Sequence, residues 1–321
     1  MSKYSASDTG PVSSRDKRPA HPVLSMVLAA GAFFLFSVAD VIARHLGLSG
    51  YSTPVIMLYA SCFALALSIL YILCDKGPAG FWPKKSIKLH LSRSLINAVG
   101  VFFIVEGLAY LTMAEFYAIA FLMPFVITLG TVVFFKEPIG VWRWSAILIG
   151  FCGVLIANYK GLFGTEADAI SSYGMMVAVI MVMCLSTGYL IMRKIGAGEY
   201  MPVYPFLTQA SIFPLSLIFA WSDLMVPEWF DLMLFAIYGA ALFIAVIMVS
   251  QAYAIASVAA LPAATQYTQI IWGVLFGFWV FAEVPGLWTI TGILVIITAG
   301  LLMIWREYVH HNRAIRYIES V

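Results

Sequence analysis

Charge is scarce in this 321-residue chain: Asp, Glu, Lys and Arg make up 11% of it, while apolar residues make up 62%. Soluble domains carry about a quarter charged residues and are about half apolar. One soluble core of this length has no room for the surplus apolar surface. The net charge of +2 gives no field that would gather nucleic acid or an acidic partner. Cysteine is sparse too. Cys62, Cys74, Cys152 and Cys184 lie in or beside apolar runs, none at metal-ligand spacing from another, and read as small core residues. Histidine is limited to His21, His45, His90, His310 and His311, at run ends or in tails. The His310-His311 pair, flanked by Arg306 and Arg313, reads as solvated. A glycine-rich phosphate loop is missing, as is any nucleophile–base pattern. The sequence therefore predicts no enzyme, no metal site and no cofactor. Residues 1–22 are polar and lack the apolar stretch of a secretory signal. They read as a disordered arm, with the first apolar run as an uncleaved anchor.

What the chain does have is long apolar runs. Ten lie near 23–44, 53–74, 91–111, 114–135, 142–158, 173–192, 203–221, 231–253, 258–281 and 286–305. About twenty apolar residues make a helix that crosses the hydrocarbon layer. The runs are continuous and not alternating, which excludes a membrane β-barrel. With the N-terminus in the cytoplasm and the sides alternating, sixteen of the eighteen Lys and Arg fall on the cytoplasmic side; only Arg44 and Lys160 fall opposite. That asymmetry follows the positive-inside rule. It predicts an inner-membrane, multi-pass protein with both termini cytoplasmic.

The halves repeat. Ser37, Ile42, Arg44 and Gly47 recur as Ser186, Ile191, Arg193 and Gly196, offset 149. Pro54-Val55 recurs as Pro202-Val203, offset 148, and Glu137, Gly140, Trp142, Leu148 and Leu155 recur as Glu283, Gly286, Trp288, Leu294 and Leu301, offset 146. The expected fold is an all-α membrane protein of ten helices in a 5+5 repeat. Residues 1–22 form an arm, 23–158 the first five-helix unit, 173–305 the second and 306–321 a cytoplasmic tail. Because five is odd, the second unit is inverted relative to the first, an arrangement suited to alternating access.

An ionisable residue inside a span is costly and therefore a functional candidate. Asp40 and Glu106 are the two such carboxylates. Asp40 has a second reading, because Arg44 lies four residues on, in the favourable order for an intrahelical ion pair. Glu106 has no base at such spacing. It is a substrate or proton-coupling carboxylate, or a protonated and hydrogen-bonded one. Arg93, Asn97 and Gly100 share a stripe. Arg93 reads as an arginine snorkelling to the headgroups, or as a gate contact, and Asn97 as an interhelical hydrogen bond or a ligand contact. Pro262, Gln266 and Gln269 share a face of span nine, beside Thr265 and Tyr267, and are expected to face a cavity, with Pro262 breaking the helix. Tyr204, Thr208 and Ser211 make a milder stripe that reads as helix–helix glue, and Glu137 and Glu283 read as helix caps. Tyr117, Tyr189, Tyr267 and Trp272 are available to stack on a ring or meet a cation. The substrate-contact set is then Asp40, Asn97, Glu106, Tyr117, Tyr189, Gln266, Tyr267, Gln269 and Trp272. With acids inside the spans and bases at their ends, the expected cargo is cationic, zwitterionic or neutral-aromatic, and not a sugar phosphate.

Several motifs together resemble the drug/metabolite transporter superfamily in its EamA branch. They are Ala39-Asp40-Val41-Ile42-Ala43-Arg44-His45-Leu46-Gly47, Arg93, Pro124, Lys136-Glu137-Pro138, Arg143-Trp144, Gly150-Phe151-Cys152-Gly153-Val154, Pro262 with Tyr267, and Ala282-Glu283-Val284-Pro285. The Asp40 segment and the Pro262/Tyr267 pattern look most like the S-adenosylmethionine carriers of that branch, and riboflavin carriers are similar. Glu106 departs from the general pattern. The resemblance implies a ten-helix secondary transporter for a small metabolite, S-adenosylmethionine-like or amino-acid-like, with a cavity lined by spans one, three, four, six, eight and nine. It implies the bilayer and a small molecule as partners, protons as a possible coupling ion, and no nucleic acid. A riboflavin or drug exporter of the same fold is the alternative within the class. A membrane-embedded enzyme or a non-transporting receptor is the alternative outside it.

Overall fold

A computed structural model describes residues 21–136, 140–163, 169–196, 198–256 and 265–319. Among the described residues there is no strand. The helices are α1 (Pro22–Leu48), α2 (Thr53–Asp75), α3 (Ile87–Tyr110), α4 (Met113–Ala120), α5 (Met123–Phe135), α6 (Val141–Ala157), α7 (Tyr159–Phe163), α8 (Ala169–Ile195), α9 (Val203–Ala220), α10 (Trp229–Ile255), α11 (Thr268–Phe281) and α12 (Leu287–Glu319), with a 3₁₀ turn at Gly77–Phe81. Seven segments are long and apolar enough to cross a membrane, α4 and α5 together forming one of them; Trp144–Ala157, Thr268–Phe281 and Leu287–Leu302 are shorter apolar helices. Ile69, Leu70, Leu73, Val133, Phe134, Leu148, Ile218, Phe219 and Leu294 all point outward. A surface so apolar needs lipid around it, and the protein is a multi-pass membrane protein. The same fact corrects the reading of the cysteines. Cys62, Cys74 and Cys152 are exposed and Cys184 is half-buried, all as free thiols. In lipid, a small apolar side chain has no reason to seek the core.

Local chemistry sets the helix ends. Pro sits in the first turn of α1, α2 and α5, where its missing N–H costs nothing. The span that starts at Met113 follows α3 after only Leu111 and Thr112. Thr112 caps α4 by accepting from the Glu115 N–H, and Glu115 accepts from the Thr112 N–H in return, a reciprocal capping box. The span breaks at Phe121–Leu122, just ahead of Pro124, which has no N–H to continue the ladder. Lys136 ends α5 and Ala282 ends α11 in the left-handed region, at φ 54 and φ 53, the two non-glycine residues with positive φ among the described residues.

Packing pairs α1 with α10, α3 with α8, α6 with α12, and α2 with both α9 and α10. Small residues let backbones approach. A methyl on Gly239 of α10 would come within 2.6 Å of the Ala60 carbonyl of α2, and one on Gly153 of α6 within 3.0 Å of the Gly292 carbonyl of α12. Ser25 Oγ donates to the Ala252 carbonyl at 2.8 Å, tying the start of α1 to the end of α10. Between the helices lies one large core, with Tyr117, Leu46, Ile56, Leu108 and Phe235 among its most buried members.

Candidate functional site

The most buried polar group is built around Asp40. The helical phase of α1 turns Ser37, Asp40 and Arg44 inward, and all three are at most 9% exposed. Tyr117 Oη of α4 donates to Asp40 Oδ2 at 2.6 Å. Gln269, in the first turn of α11, lies within hydrogen-bonding reach of both Asp40 and Tyr117, and Ser37 within reach of Tyr117. Tyr238 of α10 lies within electrostatic range of the same carboxylate. A methyl on Gly273 of α11 would overlap the Tyr117 ring, so only glycine lets α11 close on α4 here. Four helices thus bring a carboxylate, two phenols and an amide together in the apolar core, and among the described residues no Lys or Arg pairs with that carboxylate.

Arg44 does not pair with Asp40, contrary to the intrahelical reading. Its guanidinium pairs with Glu283, donates to the Leu111 carbonyl and stacks 4.8 Å over the Phe281 ring. Glu283 also accepts from the Met113 N–H at 3.0 Å. It is a helix cap, as expected, but it caps α4 and not its own helix. The reason is geometric: the left-handed turn at Ala282 throws Glu283 back across the α4 N-terminus, where the helix dipole favours an anion. Beside this cluster opens a cavity of about 240 Å³ lined in part by Glu115, Lys160, Gly277, Glu283 and Thr289.

Among the described residues, the other predicted residues make no hydrogen bond to Asp40. Glu106 accepts from Thr53 Oγ1 at 2.5 Å and from Tyr173 Oη at 3.0 Å, near the Arg44 end of the bundle. Arg93 is 5% exposed and held among other helices, not at the protein surface. It donates to the Tyr204 carbonyl at 2.8 Å and to Thr208 Oγ1 at 3.0 Å and stacks on the Tyr204 ring, so its partners come from α9. The Tyr204/Thr208 stripe is therefore glue for Arg93. Asn97 Oδ1 is buried without a partner, against Gly188 of α8. Tyr189 is half exposed and within electrostatic range of Arg93 and Tyr253. Trp272 packs edge-on against Phe34, with centroids 4.9 Å apart, and Tyr267 packs on Phe121 at 5.1 Å. Gln266 is half-buried in the turn before α11. Pro262, Glu137 and Pro138 lie outside the described residues. Sequence reasoning missed the roles of Tyr117 and Glu283 as partners, since each meets its acid or base across 77 or more residues of chain; the matched Arg and Glu of the two halves were the only signal.

A further polar clamp ties two loops at the Arg93 end. Glu199 accepts from the Lys84 N–H at 3.0 Å and the Lys85 N–H at 2.5 Å, with His90 Nε2 at 3.6 Å. Burial works to raise this carboxyl, but the two N–H groups and His90 outweigh it and hold it below the usual range.

Comparison with known proteins agrees with the architecture. The pseudopaline exporter CntI of Pseudomonas aeruginosa is 23% identical over 286 residues in strain UCBPP-PA14 and 22% in strain PAO1, covering 87% of this chain and 95% of the relative. The riboflavin transporter of Rhizobium johnstonii is 39% identical over 67 residues, 21% of this chain and 22% of that protein. A solved crystal structure aligns with 86% of this chain and 98% of its own at a TM-score of 0.59 and 14% identity, a likeness of fold alone. Residues 23–159 match the EamA-like transporter family. That match takes in 137 of the 321 residues, and the chain is similar over most of its length to an exporter and over a shorter stretch to a riboflavin transporter.

Proposed function

We propose that this protein is a secondary transporter that moves a small cationic, zwitterionic or neutral-aromatic metabolite across the inner membrane by alternating access between two inverted five-helix halves, with both termini cytoplasmic. The observation that carries the reading is the Asp40 cluster. A carboxylate in the apolar core, contacted by Tyr117 and Gln269 and lacking a paired base, is a costly arrangement unless a cation or proton visits it. The helix pairing supports the inverted repeat. Exchanging the halves turns the α1–α10 pair into the α8–α3 pair, and leaves α2–α9 and α6–α12 each paired with itself. The left-handed residues Lys136 and Ala282 also match at the offset of 146 that relates Glu137 to Glu283.

The test is flux. Purified protein in liposomes is loaded with S-adenosylmethionine, an amino acid mixture, riboflavin or a sugar nucleotide, and exchange of label is followed. Saturable exchange of one of the first three, abolished by Asp40→Asn with the protein still folded, is the expected result. Saturable carriage of the sugar nucleotide, unaffected by cationic or zwitterionic competitors, would overturn the charge argument. Binding without flux would point to a receptor, and chemical change of the ligand to an enzyme.

A further inference from the structure

An arginine stacked on the last phenylalanine of a helix, followed by a left-handed residue, stands at both ends of the bundle. At one end, Arg44 lies 4.8 Å over the ring of Phe281, the last residue of α11; Ala282 then turns through φ 53 and delivers Glu283 to the guanidinium. At the other end, Arg193 of α8 lies 4.8 Å over the ring of Phe135, the last residue of α5, and Lys136 turns through φ 54. Arg44 and Arg193 are related by 149 residues, and Phe135 and Phe281 by 146, the offsets that relate the halves elsewhere.

The Arg44 device joins four segments. Arg44 comes from α1, Leu111 from the α3–α4 turn, Met113 from the start of α4 and Glu283 from the α11–α12 link. Both charged side chains are nearly buried, at 10% and 15% exposed. A buried ion pair is a poor way to make a permanent contact, since apolar residues of equal volume hold as well or better. It is a good way to make a contact that must open. When water enters, each charge regains its hydration, whereas a parted apolar plug regains nothing. Arg44 also stands one helical turn beyond Asp40 on α1, so a movement of α1 that parts Arg44 from Glu283 moves the Asp40 cluster with it.

We propose that the Arg44–Glu283 pair is the lock that closes one end of the translocation path, and that Arg193 on Phe135 is the gate residue of the opposite end. The proposal rests on the transporter reading and adds the residues that confer sidedness to it.

Cysteine accessibility tests it. In full-length protein lacking its four native cysteines, Ser37→Cys places an isosteric thiol in the Asp40 cluster. Its labelling by a membrane-impermeant maleimide is timed in right-side-out and inside-out vesicles. Labelling through the Arg44 side is expected to be slow, and to rise about tenfold when Glu283→Gln removes a charge-assisted contact. Glu283→Asp should stay close to the parent. Arg193→Ala should speed labelling from the opposite side only. Should Glu283→Gln fail to fold around an unpaired Arg44, Arg44→Gln/Glu283→Gln carries no buried charge and should label as fast. Arg44→Met/Glu283→Leu, an apolar plug, should fold, label slowly and stop flux. Unchanged labelling in the folded amide variant, or normal flux through the apolar plug, overturns the lock. The parent's exchange of labelled S-adenosylmethionine, amino acids or riboflavin in liposomes separates the two ideas. If exchange occurs and labelling does not respond, only the lock fails; if none of these compounds exchanges, the transporter reading it rests on fails with it.

Discussion

Replacing Tyr117 with Phe takes away one oxygen and leaves the ring where it is, packed against Phe116 with centroids 5.8 Å apart. The lost contact is a 2.6 Å hydrogen bond to Asp40 Oδ2, in a pocket where Tyr117 is 2% exposed and Asp40 9%. Water cannot step in to replace the donor. A hydrogen bond to a charged group contributes about 1.5–3 kcal/mol, so Tyr117→Phe should destabilise the folded protein by that amount at a pH where Asp40 is ionised. If the same contact orients Asp40 for its cargo, transport efficiency should fall about 10- to 150-fold. The clean measurement is a double-mutant cycle with Asp40→Asn, scored by reversible unfolding in mixed micelles and by initial uptake rate. The cycle should give a coupling of about 1.5 kcal/mol or more. A coupling below about 0.5 kcal/mol in both readouts would mean that Tyr117 and Asp40 are neighbours without function, and the argument from the buried carboxylate would fall.

Gly273→Ala should act on the same bond from the other side, because its methyl overlaps the Tyr117 ring. Uptake should be lost, while Gly140→Ala, where nothing lies within 4 Å of the added methyl, should transport normally. Glu106→Gln should abolish uptake driven by a pH gradient while exchange of labelled for unlabelled cargo continues; an unaltered gradient-driven rate removes Glu106 from the coupling mechanism. Glu199 titrates below its ordinary value of 4.5, so its clamp contributes stability that is complete above pH 4.5 and is lost as pH falls through the lowered folded value. Thermal midpoints of the parent and Glu199→Gln should therefore differ at neutral pH and converge in acid; a constant difference across that range contradicts the assignment.

Most of the helices were legible because hydropathy and charge are one-dimensional signals. The seven long segments coincide with predicted runs to within a few residues at most ends, and the hairpin at Leu111–Thr112 follows from the near absence of a loop. The break at Phe121–Leu122 was only half legible. Pro124 was visible as a motif, but whether a neighbouring helix would absorb its missing hydrogen bond was not. At the site, the sequence pointed to Asp40, Tyr117 and Gln269 separately, by burial cost, aromatic character and polarity, and the fold brings these three together. It misdirected Arg44 and Arg93 for a shared reason. Helical spacing sees only partners on the same helix, or the membrane surface, while both arginines found carbonyl and side-chain acceptors on other helices. Asn97 was picked by its stripe with Arg93, and Tyr189 and Trp272 by residue type; among the described residues no hydrogen bond ties any of them to Asp40.

The Gly153–Gly292 contact between α6 and α12 carries a consequence for how this sequence tolerates change. The two backbones lie so close that a methyl on Gly153 would fall 3.0 Å from the Gly292 carbonyl and 3.1 Å from the Ile296 nitrogen, while Thr289 Oγ1 donates to the Ala157 carbonyl at 3.2 Å. The Ile296 side chain, nearer still at 2.8 Å, could turn aside, but these two backbone atoms cannot give way. In a saturation library these two positions should be the emptiest on their helices. Leu148 and Leu294, on the outer surface of the same two helices, should accept almost any apolar replacement. A strip of intolerance one residue wide, flanked by near-neutral positions, would be the genetic outline of that seam.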